Sequence, residues 1–506
     1  MSFLSLAFAV FVAIALAIYF FMVPKKYQWC ALLAFSYIFY AFAGWKLFFF
    51  ILFTTCTVFF CAQHLNKVKN HKAKIGIIAL VMTANFSILA FFKWFNTLAG
   101  LGNRLLDAIV DPSVQIPTFS FLLPLGISFY TFQAVGYLID VSRKKIEPER
   151  NFARFALFVS FFPQLVQGPI SRHSELAEQL YASRNFDYDE FRRGFQLVIW
   201  GLFKKLVIAD RLVLMAAEIF NSPETYNGLY YLFGGMISFV KLYADFSGGV
   251  DIARGVAQMF GITMPLNFLR PFFSKNLSEF WRRWHITLNF WWRDYLFYPF
   301  VLSKAMTRFS KFIRTHISTN FGKVVAVYLG IYFVRIINAM WHGADLYLIA
   351  GGFYHGFLIT TGLMLAPVFI KMIHFLHINT DCFPWKLFQA ARTFLIISFG
   401  QILWNAGSVR DGLAAMISVF RDFNPSFDSL FLSGIDAREA GIAIVSVLIL
   451  IIVEIVQEKG VSIRITIEKQ NIAFQWIMLL GLIFATILWG RYGIEYEVSD
   501  FIYQGF

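Results

Sequence analysis

Charged side chains are scarce in this 506-residue chain: Asp, Glu, Lys and Arg make up 15% of it, against 58% hydrophobic residues. With a mean hydropathy of +0.62, too little polar surface exists to clothe a globule in water, which excludes an ordinary soluble protein. Cysteine is nearly absent. The four present (Cys30, Cys56, Cys61 and Cys382) show neither metal-ligand nor disulfide spacing, so they read as packing residues and no metal site is expected. The polar stretches 64–75, 143–151, 172–192, 304–323, 374–386, 410–438 and 457–470 are short, and none encloses a core of its own. A continuous basic face is also missing. The net charge of +14 is spread among apolar runs, which argues against a nucleic-acid partner. No internal repeat marks inverted transporter halves.

Apolar length is what the chain has in plenty. Runs at 4–23, 29–45, 47–63, 76–92, 346–370, 393–409 and 472–490 reach or approach the roughly 17–25 residues a helix needs to cross hydrocarbon. Lipid offers no hydrogen-bond partners to the backbone, so these runs are expected as helices. The fold class is therefore an all-α polytopic membrane protein with about 10–13 transmembrane or re-entrant helices by the spacing of such runs. The first run lacks a basic flank and a small-residue cleavage site and is read as a retained helix. Basic loops at Lys25-Lys26 and at Lys67, Lys69, Lys72 and Lys74 fall on one side if the N-terminus is extracytoplasmic. The whole chain is expected to form one integral-membrane domain: N-terminal helices over 1–115, a catalytic core over 116–372, and C-terminal helices over 373–506. Its first partner is membrane lipid.

The middle of the chain differs from both ends. Its apolar runs are broken by Gly, Pro, Asp, Arg and His, as expected of helices that line a cavity. His342, in Asn338-Ala-Met-Trp-His-Gly-Ala-Asp345, sits at the mouth of two apolar runs. Residues 324–341 carry one charge, Arg335, and 346–370 carry none. A titratable imidazole kept near a bilayer interior is costly, and so a functional candidate. In Ser278-Glu-Phe-Trp-Arg-Arg-Trp-His-Ile-Thr-Leu-Asn-Phe-Trp-Trp-Arg-Asp-Tyr295, helical spacing puts Trp281, His285, Leu288 and Trp292 on one face, and Arg282, Asn289 and Arg293 on another. An interfacial amphipathic helix with no catalytic role satisfies the same pattern.

Three further segments recur beside it: Leu123-Pro-Leu-Gly-Ile-Ser-Phe-Tyr-Thr-Phe132, Phe161-Phe-Pro-Gln-Leu-Val-Gln-Gly-Pro-Ile-Ser-Arg172 and Tyr243-Ala-Asp-Phe-Ser-Gly-Gly-Val-Asp-Ile-Ala-Arg254. In this order, with Gly201-Leu-Phe-Lys-Lys205, Arg283-Trp-His285, Trp341-His-Gly343 and a terminal Phe501-Ile-Tyr503, the chain resembles the membrane-bound O-acyltransferase (MBOAT) family. It is most similar to the bacterial branch, with its alginate and peptidoglycan O-acetyltransferases and D-alanyl transferases of teichoic acid. The resemblance implies a ring of tilted helices around a central tunnel, where a funnel from outside meets a cytoplasmic donor channel. It implies that His342 is catalytic and that His285 lines the same tunnel. The Gly-Gly-Asn turn of the alginate type is missing after Tyr298-Pro-Phe300, and residues 301–308 stand in its place. This leaves the acyl carrier open.

Acyl transfer from a thioester to a hydroxyl needs a base for the alcohol proton, a task suited to a neutral His342. No Gly-x-Ser-x-Gly turn supports an acyl-enzyme. His285 is expected to polarise the carbonyl, orient the acceptor or assist proton transfer. Arg282, Arg283, Lys204 and Lys205 are candidates for the phosphates of the donor, with membrane anchoring as the alternative for each. Trp284, Trp341 and Asn289 are candidate substrate contacts. Asp245 and Asp251 are expected to pair with arginines such as Arg254 and hold the central helices. No tightly bound cofactor is expected; the donor substrate is acetyl-CoA or a phosphopantetheinyl carrier protein. The acceptor is an extracytoplasmic polysaccharide or glycopolymer, with a lipase-like extracytoplasmic partner protein. The expected function is transfer of a small acyl group, acetyl ahead of D-alanyl, at the plasma membrane. A glycan or lipid transporter is the alternative from another class.

Overall fold

The computed structural model describes residues 2–65, 67–109, 115–119, 123–422, 434–492 and 501. Among the described residues the chain is helical, with one isolated antiparallel bridge, Phe268 to Trp284. Seven helices are long and apolar enough to cross a membrane: Trp45–Leu65, His71–Asp107, Thr319–His342, Leu346–Phe375, Phe383–Asn405, Ala437–Glu458 and Ile472–Trp489. Leu6–Met22 is a shorter apolar helix. The run at 29–45 forms Gln28–Ala41, a helix of 14 residues that reaches only about 21 Å. The run at 393–409 is displaced: its helix spans Phe383–Asn405 and ends before Gly407 at φ +70, and Ser408 caps the next helix. Ala437–Glu458 is absent from the uncharged runs because the charge-free stretch between Glu439 and Glu454 is shorter than a span. One of them, Glu454, is buried and accepts a hydrogen bond from the Tyr243 hydroxyl.

The chain divides into two compact units. The first comprises residues 1–207, 244–266 and 464–506; the second comprises 208–243 and 267–463.

In the first unit the broken motifs are packing devices. Gly126, at φ +68, caps the almost wholly buried helix Ile127–Ser142, and a Cβ there would stand 2.1 Å from the Leu165 carbonyl oxygen. Only glycine fits this approach. Gln164 of the proline-bearing loop ties it together: its Nε2 donates to the Pro169 carbonyl at 2.7 Å and to Gln133 Oε1 at 3.0 Å. Gly201 and Gly248 let two backbones close up, since a Cβ on Gly201 would come within 2.5 Å of the Gly248 carbonyl oxygen. That approach brings Lys204 Nζ to Asp251 at 2.7 Å and Ser247 at 2.9 Å, and Lys205 Nζ to Asp245 at 2.7 Å. The Phe501 ring lies 5.0 Å from the Lys205 ammonium; Ile502 and Tyr503 of the terminal motif lie outside the described residues. Arg254 meets Asp251 at 3.4 Å, as expected for that pair.

In the second unit, Phe383–Asn405 and Val409–Arg421 enclose a core of Ile402, Leu403, Ala415, Met416 and Val419. The long helices Thr319–His342 and Leu346–Phe375 follow one another across the short turn 343–345. They pack closely at Gly352, whose Cβ would touch the Arg335 carbonyl oxygen at 2.7 Å.

Candidate active site

His342 is the last residue of its helix. It is half-buried, with the Trp341 ring 4.6 Å away and the Trp404 ring meeting it edge-on at 5.2 Å. Trp404 is seated against Gly351, where a Cβ would lie 2.2 Å from its indole nitrogen. A small residue one turn into the following helix therefore sets the wall against which the imidazole stands.

The expected continuous helix through Trp281 and Trp292 is interrupted. One helix spans Leu277–Arg283, Trp284 is extended, His285 takes φ +44, and a second helix runs Ile286–Trp292. The shared faces predicted from helical spacing therefore do not exist across the break. Asn267 is the physical reason. Its carbonyl accepts from Ile286 N at 2.9 Å, and its Oδ1 accepts from Thr287 N at 3.1 Å and Thr287 Oγ1 at 2.9 Å. These bonds offset the strain of a left-handed residue that is not glycine. Asn267 Oδ1 also lies 3.2 Å from His285 Nδ1. The Thr287 amide is a donor, so this asparagine atom is the carbonyl oxygen and His285 Nδ1 carries a proton; burial pushes the imidazole down to about 3, which keeps the ring neutral. Nε2 is left with its lone pair. His285 is 3% exposed, and its ring lies 6.3 Å from that of Trp341, so Trp341 touches both histidines.

Beneath them, Arg335 is 8% exposed. Its Nη2 donates to Asn289 Oδ1 at 3.0 Å, and its guanidinium lies 4.0 Å from the Trp281 ring centre. Trp281 in turn meets the His355 ring at 5.3 Å. Trp292 donates to Asn338 at 3.1 Å. In the sequence Arg335 reads only as an interruption of an apolar run, and nothing there marks Trp404. The available signal for the first was that Arg335 is the one charge between residues 324 and 341.

The candidate donor-binding cations are not alike. Lys204 and Lys205 are 3% and 1% exposed and hold Asp251 and Asp245. Both ammonium groups, candidate phosphate contacts in the sequence, are thus engaged by carboxylates, and a lysine stands beside Asp245, for which arginine was expected. Arg283 is engaged by Glu279 at 2.8 Å and by Glu458 at 2.9 Å, whereas Arg282 is exposed. Trp284 is 7% exposed and wedged 5.0 Å from Phe268 and 5.5 Å from Phe280. His285, Asn289, Trp341 and His342 belong to the second unit, and Lys204, Lys205, Asp245, Asp251 and Arg254 to the first.

The model of the membrane-bound O-acyltransferase (MBOAT) family matches residues 149–404, a stretch that holds both histidines. The chain belongs to this family. It is therefore a multi-pass membrane acyltransferase. It is 31% identical over 401 residues to a probable alginate O-acetylase of Pseudomonas syringae, covering 78% of this chain and 70% of that relative. A peptidoglycan O-acetyltransferase of Helicobacter pylori is 31% identical over 350 residues, 63% of this chain and 62% of its own. A teichoic acid D-alanyltransferase of Streptococcus thermophilus is 30% identical over 260 residues, 49% of this chain and 58% of its own.

Proposed function

We propose that this acyltransferase moves an acetyl group from a cytoplasmic thioester to a hydroxyl of an extracytoplasmic cell-surface polysaccharide, with His342 as the base. The observation that carries the reading is the pair of histidines sharing Trp341, one half-buried at a helix end and the other buried with its tautomer fixed. The alcohol oxygen attacks the thioester carbonyl carbon while its proton passes to His342. The C–S bond then breaks, and the leaving sulfur takes that proton, giving an ester and a free thiol. Proximity of donor and alcohol in one narrow site supplies much of the rate, so a covalent acyl-enzyme is not needed. Neutral His285, protonated at Nδ1, presents Nε2 as an acceptor. That suits it to receive a hydrogen bond from the acceptor hydroxyl, and not to polarise the thioester carbonyl by donation.

Acetyl is favoured over D-alanyl by the longer coverage of the O-acetylating relatives. The donor is acetyl-CoA or an acetylated phosphopantetheinyl carrier, and exposed Arg282 is the candidate for its phosphates. The chain lies in the plasma membrane with its N-terminus extracytoplasmic, and a lipase-like extracytoplasmic protein passes the group on or shares its delivery. Purified protein offered radiolabelled acetyl-CoA, and separately a D-alanyl-loaded carrier protein, is expected to consume the acetyl thioester. Consumption of the D-alanyl carrier alone would replace the acyl group in this reading. Movement of an unmodified glycan without thioester consumption would replace the reaction by transport.

A further inference from the structure

Arg335 is an unusual cation. The other buried cations Lys204, Lys205 and Arg211 each hold a carboxylate at 2.7 Å. Among the described residues no carboxylate reaches Arg335; its polar partner is the Asn289 amide, and its Nη1 is buried without a hydrogen-bond acceptor. The Trp281 ring beneath it compensates in part through its negative face. Trp281 Nε1 and His355 Nδ1, beside the guanidinium, are likewise buried without hydrogen-bond partners. Arg335 lies seven residues before His342 in the same helix. That is two turns along one face, or roughly 10 Å of axial rise.

We propose that Arg335 fixes the charge of the acyl group this enzyme accepts, admitting uncharged acyl chains and rejecting those that carry an ammonium. The proposal rests on the reading of His342 as the transfer site. In a dry pocket a fixed positive charge acts at longer range than in water. A neutral acyl group, whose oxygen becomes negative as the alcohol adds, gains from it. An aminoacyl group brings a second cation to the same low-dielectric space and loses. At roughly 10 Å and an effective dielectric of about 20, two like unit charges change a rate ratio on the order of 10-fold.

Isosteric donor pairs separate charge from size: isobutyryl against D-alanyl, and propionyl against glycyl, each as the S-acyl pantetheine. The quantity to measure is the ratio of kcat/KM within each pair for transfer to one alcohol by the full-length purified protein. The wild type is expected to favour the neutral member. Arg335→Met should reduce that ratio on the order of 10-fold, and Arg335→Lys should keep it. Asn289→Asp, which sets a carboxylate beside the guanidinium without removing it, should reduce the ratio as Arg335→Met does. Ratios unchanged in active Arg335→Met and Asn289→Asp overturn the proposal, as does a wild type that prefers the ammonium member of both pairs. The reading of the site fails on a different result: wild-type transfer rates in His342→Ala.

Discussion

His342→Ala is expected to slow acyl transfer about 10^3-fold, because loss of a positioned general base removes about 10^2 to 10^4 of rate. The protein itself should survive the change. The side chain is half-buried at a helix end, between Trp341 and Trp404, so its removal opens space toward a partly solvated site and not a closed cavity in the core. The check is transfer of labelled acetyl by a variant whose elution from a sizing column matches the wild type. Free imidazole added to His342→Ala should restore part of the rate, and the restored part should grow with the neutral fraction of the added base. A variant as active as the wild type would remove His342 from the chemistry.

Lys205→Met is the change expected to cost most in stability. It leaves the Asp245 carboxylate buried beside residues chosen to meet an ammonium, in a pair whose side chains are 1% and 5% exposed. Stranding one member of a buried pair costs about 3–5 kcal/mol, whereas replacing both with apolar groups of similar volume is often close to neutral. Lys205→Met should therefore lower the unfolding midpoint of the purified protein in detergent, and Lys205→Met with Asp245→Leu should recover most of the loss. A single variant as stable as the wild type would show that the pair is not a structural clamp. This outcome separates the two roles once open to Lys205, because a phosphate contact would lower donor affinity and leave the midpoint alone.

The sequence pattern placed most spanning helices, because hydrocarbon admits so few alternatives for an apolar run. It failed where tertiary partners decide. Nothing between Trp281 and Trp292 breaks a helix by propensity, and the interruption at His285 comes from Asn267, whose backbone and amide capture the segment. Periodicity cannot register a partner 18 residues away. The ammonium groups of Lys204 and Lys205 looked available because their aspartates lie 47 and 40 residues on. The glycines that bring those helices together were legible only as family motifs. Ala437–Glu458 was missed by a search for uncharged runs, because Glu439 and Glu454 bound a charge-free stretch too short to span. The histidines were legible for the opposite reason: few titratable groups occur in such apolar surroundings, so each one stood out.

Transfer across the membrane requires His342 to be reachable by a thioester from one aqueous side and by an alcohol from the other. His342→Cys, in a background without Cys30, Cys56, Cys61 and Cys382, can be placed in vesicles of one orientation. A small membrane-impermeant thiosulfonate is then offered from inside or from outside, and its adduct is measured on the intact protein. Modification from both sides is the predicted result. A cysteine modified from neither side, or from one side only, would contradict it.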